Sequence, residues 1–241
     1  MLSVIIPVLN EAKNLESILS RLRAICPAAE VIVVDGGSED ETSTVVRRFP
    51  WVMYLSGRRG RARQMNAGAS VANGEVLLFL HADVRLPARA EAAIIEAFSD
   101  HDIVAGRFDI RFDNSRPVFK VIAFFINLRS RLTNICTGDQ ALFVRRKTFE
   151  ELGGYPDIPL MEDVELARRL KRRGGMRCLR LKVTASARKW EREGVFRTIL
   201  LMWALRFLYF IGVNPSRLHR WYYGRPPSSD VKLSASNVRS S

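Results

Sequence analysis

VLLFLHADVRL, residues 76–86, is the stretch that decides the fold of this chain. It opens with an apolar run that predicts a short buried strand, Val76–Leu80, ending at His81 and Asp83. A carboxylate at the carboxyl end of a buried strand occupies the place where open α/β sheets bind ligands. Because an unpaired buried carboxylate is costly, Asp83 is expected to face water, a cation or a partner. We interpret it as the anchor of a divalent metal that carries a nucleotide diphosphate; an exposed turn acid explains the same residues.

The residues before this stretch alternate between strand and helix patterns. Buried strands are predicted over Leu2–Pro7, Glu30–Val34 and Val52–Leu55. The first intervening helix has apolar residues at helical spacing and Asn10 as its expected N-cap. Such alternation predicts an α/β fold, with a mostly parallel central sheet and helices on both faces.

Polar groups follow three of the predicted strands. Asn10–Glu11, Asp35 and Asp83 each stand directly after an apolar run. Parallel strands gather such groups at one edge of the sheet, so three of them at the same relative place indicate a ligand site. A helix cap at Asn10 and a turn acid at Asp35 are the plain structural alternatives.

The second half of the chain has a different pattern. In Ile103–Phe112, and again in Leu179–Thr184, apolar and charged residues alternate, which predicts half-exposed strands of a smaller antiparallel sheet. Between them, Glu162-Asp163-Val164-Glu165 opens a predicted helix. Acids are common at helix N-termini because the dipole favours them. The functional alternative is that Asp163 is a general base that accepts a proton from an attacking hydroxyl.

The C-terminal part contains a long apolar segment, Val195–Val213. Arg197 and Arg206 interrupt it on roughly opposite helix faces, so a membrane span is not expected. A core or oligomer helix and a helix lying on the membrane surface both remain open. The expected organisation is a domain over 1–194, an amphipathic helical segment over 195–223 and a disordered tail over 224–241.

Charge and cysteine content restrict the class of protein. The 241 residues carry a formal net charge of +13, which favours anionic partners such as nucleotides or an acidic membrane face. The basic residues are spread over many elements and are not collected with aromatics on one sheet face, so we expect no nucleic-acid partner. Three distant cysteines and an N-terminus without a basic run predict a cytoplasmic protein.

The sequence lacks the two common glycine-rich loops that bind the phosphates of nucleotides. Neither GxGxxG after the first strand nor GxxxxGK[ST] occurs. Another group must then neutralise phosphate, and a magnesium or manganese ion held by a carboxylate serves that purpose. Asp83 suits this role. His81 is either a second contact or a histidine bonded to the backbone.

Four motifs in order resemble the signatures of family 2 glycosyltransferases, which have the GT-A fold. They are SVIIPVLNEAKNLE (3–16), VIVVDGGSEDET (31–42), FLHADVRLP (79–87) and GGYPDIPLMEDVELARRL (153–170). TGDQALFVRR and RKWEREGV are similar to a bacterial subgroup described as arsenosugar-biosynthesis or radical-enzyme-associated transferases. The resemblance implies a GT-A type, Rossmann-like sheet with a smaller acceptor-side sheet, and an inverting transfer from a nucleotide-sugar, with a UDP-sugar expected.

The resemblance also assigns roles to residues. Those implied to bind the donor are Pro7, Asn10, Glu11, Asp35, Arg61, Ala82 and Asp83. Asp35 would contact the base, Asp83 would bind manganese or magnesium and stabilise the departing diphosphate, and Asp163 would take the acceptor's proton.

One departure leaves an alternative open. The first acid of the family's DxD motif is replaced by His81. A catalytically degenerate fold that serves as a nucleotide-binding or scaffold protein is therefore the competing interpretation. The expected partners are a nucleotide-sugar and a small-molecule or lipid-linked acceptor, with peripheral contact to an anionic membrane.

Overall fold

The computed structural model describes residues 1–224. The strands are β1 Leu2–Val8, β2 Glu30–Asp35, β3 Val52–Ser56, β4 Val76–Phe79, β5 Val84–Arg85, β6 Ile103–Phe112, β7 Phe143–Arg145 and β8 Gly175–Ala185. The helices are α1 Ala12–Ile25, α2 Thr42–Arg47, α3 Arg61–Val71, α4 Ala90–Ala97, α5 Pro117–Thr133, α6 Arg146–Glu151, α7 Glu162–Arg173, α8 Arg188–Glu193, α9 Val195–Phe210 and α10 Pro215–Tyr223. A 3-10 turn spans Gly138–Gln140. The tail predicted over 224–241 lies, apart from Gly224, outside the described residues.

The strands form one sheet in the order β3-β2-β1-β4-β7-β6-β8-β5. β3, β2, β1 and β4 pair in parallel, which confirms the mostly parallel sheet predicted for the first half. β7 then pairs antiparallel with both β4 and β6. The predicted antiparallel sheet is thus not separate but continues the same sheet, and it is mixed, because β6 and β8 run parallel.

Helices cover both faces because the strands alternate their side chains. In β1, Val4 and Ile6 enter one hydrophobic core, and Ile5 enters the other. The first core is completed by apolar residues of α1, α2, α4 and α5. The second is completed by residues of α3, α6 and α7. Because a hydrophobic core covers each face of the sheet, ligands can approach it at its edges and at the ends of its strands.

The predicted half exposure of β6 is wrong. Arg107 and Asp109 are 1% and 7% exposed, and their charges are paired inside the protein. Arg107 Nη1 lies 2.5 Å from Asp109 Oδ1, and Arg131 Nη2 of α5 lies 2.6 Å from Asp109 Oδ2. The alternating pattern came from a buried ion-pair network, which looks identical in sequence to a solvated strand face.

The predicted N-cap at Asn10 is also wrong. Glu11 precedes α1, while Asn10 has a positive φ of 56°. The Asn10 Oδ1 atom accepts from the Glu39 backbone N–H at 2.8 Å, so the side chain joins two loops and caps no helix.

The C-terminal helices fold back onto the domain. Leu205 of α9 and Leu218 of α10 form a small core with Met161, the residue before α7. No helix within residues 1–224 combines the length and apolar content that crossing a bilayer requires.

Candidate active site

The sheet brings the predicted polar groups to one edge. β1, β2 and β4 are parallel, so their carboxyl ends lie side by side. The loops after β1 and β2 are joined by hydrogen bonds, including one from the Asn10 backbone N–H to Ser38 Oγ at 2.8 Å. Burial raises the pKa of Glu11, and Asp83 raises it further, which places these two carboxylates in one electrostatic site.

A potential metal cluster lies at the end of β4. Ligand atoms of His81, Asp83 and Asp139 lie within 4.8 Å of one another. The Nδ1 atom of His81 is 3.7 Å from Asp139 Oδ1. Two carboxylates and an imidazole suit Mn²⁺, and the carboxylates suit Mg²⁺ as well. The residues present therefore fit the ion that the sequence predicted, and His81 takes part in the cluster that replaces the DxD pair.

Asp139 reaches this cluster because β7 pairs with β4. It belongs to the 3-10 turn Gly138–Gln140 that leads into β7, and β7 lies antiparallel beside β4. Burial raises the pKa of Asp139, but His81, Arg61 and Lys189 outweigh this and hold the pKa below its usual range. Asp139 is therefore poised as an anion that can ligate a cation.

Asp163 is tied to the same turn. Its Oδ2 atom accepts from the Gly138 backbone N–H at 2.8 Å, and its Oδ1 accepts from the Val164 N–H at 2.7 Å. Each carboxylate oxygen has two lone-pair sites, so a proton-accepting position remains on each. Gly138 thus links the candidate base to the neighbouring residue Asp139 of the metal cluster.

Glu162, the preceding acid, has a different environment. It is 7% exposed, and burial together with the neighbouring Asp163 raises its pKa. Burial and the neighbouring carboxylate thus act against the charged form of Glu162.

Asp35 is engaged by its own loop and by Tyr54 of β3. Its Oδ1 accepts from the Gly37 and Ser38 N–H groups and from Ser38 Oγ, while its Oδ2 accepts from Tyr54 OH at 2.8 Å. Burial and the Asp35 carboxylate raise the pKa of Tyr54 to about 12, which keeps this phenol a donor. Asp35 thus organises the loop after β2.

The other predicted donor residues lie close by. Pro7 is half-buried in β1 opposite Val34, and Ala82 is buried between His81 and Asp83. Arg61 begins α3. Arg61 is exposed to solvent, yet it is closely surrounded by protein atoms, and this crowding lowers its pKa. Tyr223, Glu162, Asp139 and Asp83 outweigh that effect and raise the pKa above its ordinary value.

The C-terminal helices add groups that the sequence reasoning missed. Lys189 of α8 interacts with Asp139 and has its Nζ 4.2 Å from the centre of the Tyr222 ring. Burial lowers the pKa of Arg206 of α9, although Asp163 and Asp139 act on it in the opposite direction. Asp139 and Lys189 stand in TGDQALFVRR and RKWEREGV, whose resemblance to a transferase subgroup assigns no role to either residue.

Comparison with known proteins defines the class that this fold and site represent. The mannosyltransferase PcManGT from Pyrobaculum calidifontis, in complex with GDP-Man and Mn²⁺, superposes with a TM-score of 0.61 at 25% identity, covering 76% of this chain and 56% of that one. The fold is therefore that of GT-A glycosyltransferases. The family model described as Glycosyl transferase family 2 matches residues 3–153. The chain belongs to glycosyl transferase family 2.

Curated relatives agree with this assignment. A PGL/p-HBAD biosynthesis glycosyltransferase of Mycobacterium tuberculosis is 35% identical over 166 residues, 64% of this chain and 63% of the relative. An undecaprenyl-phosphate 4-deoxy-4-formamido-L-arabinose transferase of Aeromonas hydrophila is 31% identical over 116 residues, 43% and 36% of the two chains. The chain thus spans under two thirds of the length of these relatives, and the narrower bacterial subgroup stays a prediction.

Proposed function

We propose that this protein is a metal-dependent, inverting glycosyltransferase that moves a sugar from a nucleotide-sugar to a hydroxyl of an acceptor. One observation carries the proposal. The turn Gly138–Gln140 supplies Asp139 to the metal cluster and a backbone N–H to Asp163. The candidate metal ligand Asp139 and the candidate base Asp163 are thereby both attached to Gly138, one through the chain and the other through a hydrogen bond.

His81, Asp83 and Asp139 would hold Mn²⁺ or Mg²⁺. The bound ion would supply charge stabilisation for the diphosphate that leaves the sugar. PcManGT, which was determined with GDP-Man and Mn²⁺, supports this chemistry by likeness. The imidazole in the ligand set favours manganese over magnesium, which prefers oxygen ligands.

Asp163 would accept the proton of the attacking hydroxyl. Its two backbone hydrogen bonds fix the orientation of the carboxylate, and positioning of this kind is what general base catalysis needs. Glu162, which is only 7% exposed, is less accessible to an acceptor hydroxyl.

Pro7, Asn10, Glu11, Asp35, Arg61 and Ala82 would surround the donor. Asp35 would contact the base only if one of its hydroxyl partners, Ser38 or Tyr54, turned away. Arg61, a cation facing the acidic cluster, is placed to contact donor phosphate. A UDP-sugar remains the expected donor, and a GDP-sugar is the alternative suggested by PcManGT.

The exchange of Asp163 for Asn tests the catalytic assignment. We expect Asp163→Asn to bind UDP or GDP with Mn²⁺ nearly as the parent does and to lose transfer, because the amide oxygen can keep one of the two backbone hydrogen bonds while the amide cannot take up the acceptor's proton. Calorimetry would measure binding, and product formation with a screened nucleotide-sugar would measure transfer. Asp102→Asn, at an exposed acid before β6, is the control. Loss of nucleotide binding in Asp163→Asn would show that Asp163 is a donor ligand instead.

A degenerate scaffold is the second candidate because His81 replaces the first acid of the DxD motif. The presence of Asp139 in the cluster weakens this alternative, since it restores a second carboxylate. Hydrolysis of any nucleotide-sugar by the purified protein would remove the scaffold interpretation.

The acceptor side would face a membrane. Of the large apolar side chains that the described residues leave exposed, all but Met1, Met53, Val71 and Ile95 lie on α5 or on residues 195–223. Trp203, Trp221 and Tyr223 are of the type enriched at bilayer interfaces. With a net charge of +13, peripheral contact with an anionic cytoplasmic membrane face and a lipid-linked acceptor fit this surface. A small-molecule acceptor is the alternative.

A further inference from the structure

A basic cavity lies beside α5, at the end of the sheet formed by β6, β8 and β5. Its volume is about 470 Å³. Its lining comes from α1, β5, β6 and the loop after it, α5 and β8. None of the residues that line it belongs to the metal cluster or is Asp163, so it is distinct from the candidate active site.

The charges around this cavity are unbalanced. Among the described residues, Arg21, Arg85, Arg111 and Lys120 line it, against the acid Asp113. The Arg85 guanidinium lies 3.6 Å from Asp113, which compensates one of the four cations. Within residues 1–224 the other three form no ion pair, and Arg111 Nε donates to the neutral Thr184 Oγ1 at 2.9 Å. Cations that converge on a cavity without matching acids attract an anion into it.

Phosphate is an anion that suits this lining. Guanidinium groups bind phosphate oxygens through paired N–H donors, and an ammonium adds a mobile point charge. Asn114, Ser115 and Thr184 add neutral polar groups to the wall. An apolar floor is supplied by Phe112, Phe119 and Ala123, so the cavity suits a phosphate that carries an apolar substituent.

The neighbouring helix indicates where that phosphate comes from. Directly after Lys120, α5 exposes Val121, Phe124 and Phe125, which are 52%, 60% and 58% exposed. These residues recur at helical spacing on one face of α5. A basic cavity next to an exposed apolar helix face is the arrangement that a lipid would occupy. Its phosphate headgroup would enter the cavity, and its acyl chains would contact the apolar residues of α5.

We propose that the cavity lined by Arg21, Arg85, Arg111 and Lys120 binds the phosphate group of an anionic membrane lipid. The site fixes where the protein touches the bilayer. This inference rests on the proposed membrane contact and is independent of the transfer chemistry.

Neutralising two of the four cations tests the site. Arg111→Gln/Lys120→Gln removes two charges, and Lys147→Gln/Arg172→Gln removes two exposed charges on α6 and α7, which pack on the opposite face of the sheet. We expect the first double variant to bind phosphatidylglycerol-containing vesicles roughly 25-fold more weakly than the parent at low salt, from about fivefold per residue. The control pair should bind within about twofold of the parent.

Two further arms separate the outcomes. Glycerol 3-phosphate, titrated calorimetrically, reports occupation of the cavity without a bilayer. If the parent binds glycerol 3-phosphate and both double variants sediment with vesicles as well as the parent does, the cavity takes soluble phosphate and the lipid assignment is wrong. If the parent binds vesicles and both double variants weaken it equally, the contact is diffuse charge and the cavity proposal is wrong. If the parent itself fails to bind anionic vesicles, the membrane contact is wrong, and transferase activity is then judged on its own.

Discussion

At the scale of single residues, Gly138 determines how closely the groups of the candidate site can approach one another. A Cβ atom at this position would overlap the ring of His81. The same residue donates its backbone N–H to Asp163, and the next residue is Asp139. Because Gly138 has no side chain, the turn can approach His81 closely while it also carries Asp139 and binds Asp163.

Gly138→Ala is expected to displace His81 and to weaken Mn²⁺ binding at least tenfold, because loss of ligand orientation typically costs that much. Manganese titration followed by calorimetry measures this. Gly212→Ala is the control, since Gly212 has a φ of +90° and a Cβ there would meet no atom of the described residues within 4 Å. It should cost about 1 kcal/mol of stability and leave metal affinity unchanged. Equal metal affinity in Gly138→Ala and the parent would show that His81 is not a ligand.

Glu162 makes stability depend on pH. Its folded-state pKa lies above the ordinary value of 4.5 because of burial and Asp163. Below pH 4.5 both folded and unfolded states hold the proton, and Glu162 carries no penalty; above its folded pKa the penalty is complete. Glu162→Gln should therefore raise Tm relative to the parent at pH 7 and converge with it as the pH falls toward the ordinary pKa. Thermal melts across this range, with the exposed Glu16→Gln as control, measure the difference. A pH-independent difference would contradict the assignment.

Residues differ in how far the sequence reveals them. Asp83 could be proposed as a candidate because it follows an apolar strand, and Asp163 because it stands in a recognisable motif; both roles stay predictions. Asp139 could not, since its role depends on the pairing of β7 with β4, which brings two distant segments together. Strand pairing of this kind leaves no local signal in the chain.

At the scale of elements, β6 shows what an alternating pattern hides. The apolar positions were identified correctly, and Phe108 and Ile110 are buried. The charged positions Arg107 and Asp109 are buried too, because α5 covers them and supplies Arg131. Alternation reports the two faces of a strand, but it does not report what covers the second face.

Asp109→Ala is expected to lower the free energy of unfolding by about 3–5 kcal/mol, because it leaves the guanidinium of Arg107 buried without its carboxylate. Urea denaturation measures the loss. Glu16→Ala, at a surface ion pair with Arg48, should change it by no more than about 1 kcal/mol. A similar small change for both variants would mean that water reaches Arg107 in solution.

At the scale of the whole molecule, the C-terminal helices link the site to the outer surface. Lys189, Arg206 and Tyr223 act on the acidic cluster and on Arg61, while aromatic residues of the same segment are exposed, namely Phe196, Trp203 and Phe210. The helical structure of the residues after 194 was predictable from their pattern, but their return to the site was not, because that requires the packing of Leu205 and Leu218 on Met161. Its status as a unit apart from 1–194 stays a proposal.

The most direct measurement is calorimetric titration of UDP and GDP into the protein with and without Mn²⁺. The parent should bind one of these nucleotides only when Mn²⁺ is present, and Asp83→Asn and Asp139→Asn should each lose that binding, while the surface variant Asp157→Asn retains it. Nucleotide binding that is equally tight after removal of the metal, or after either cluster substitution, would contradict a metal-held diphosphate at the end of β4.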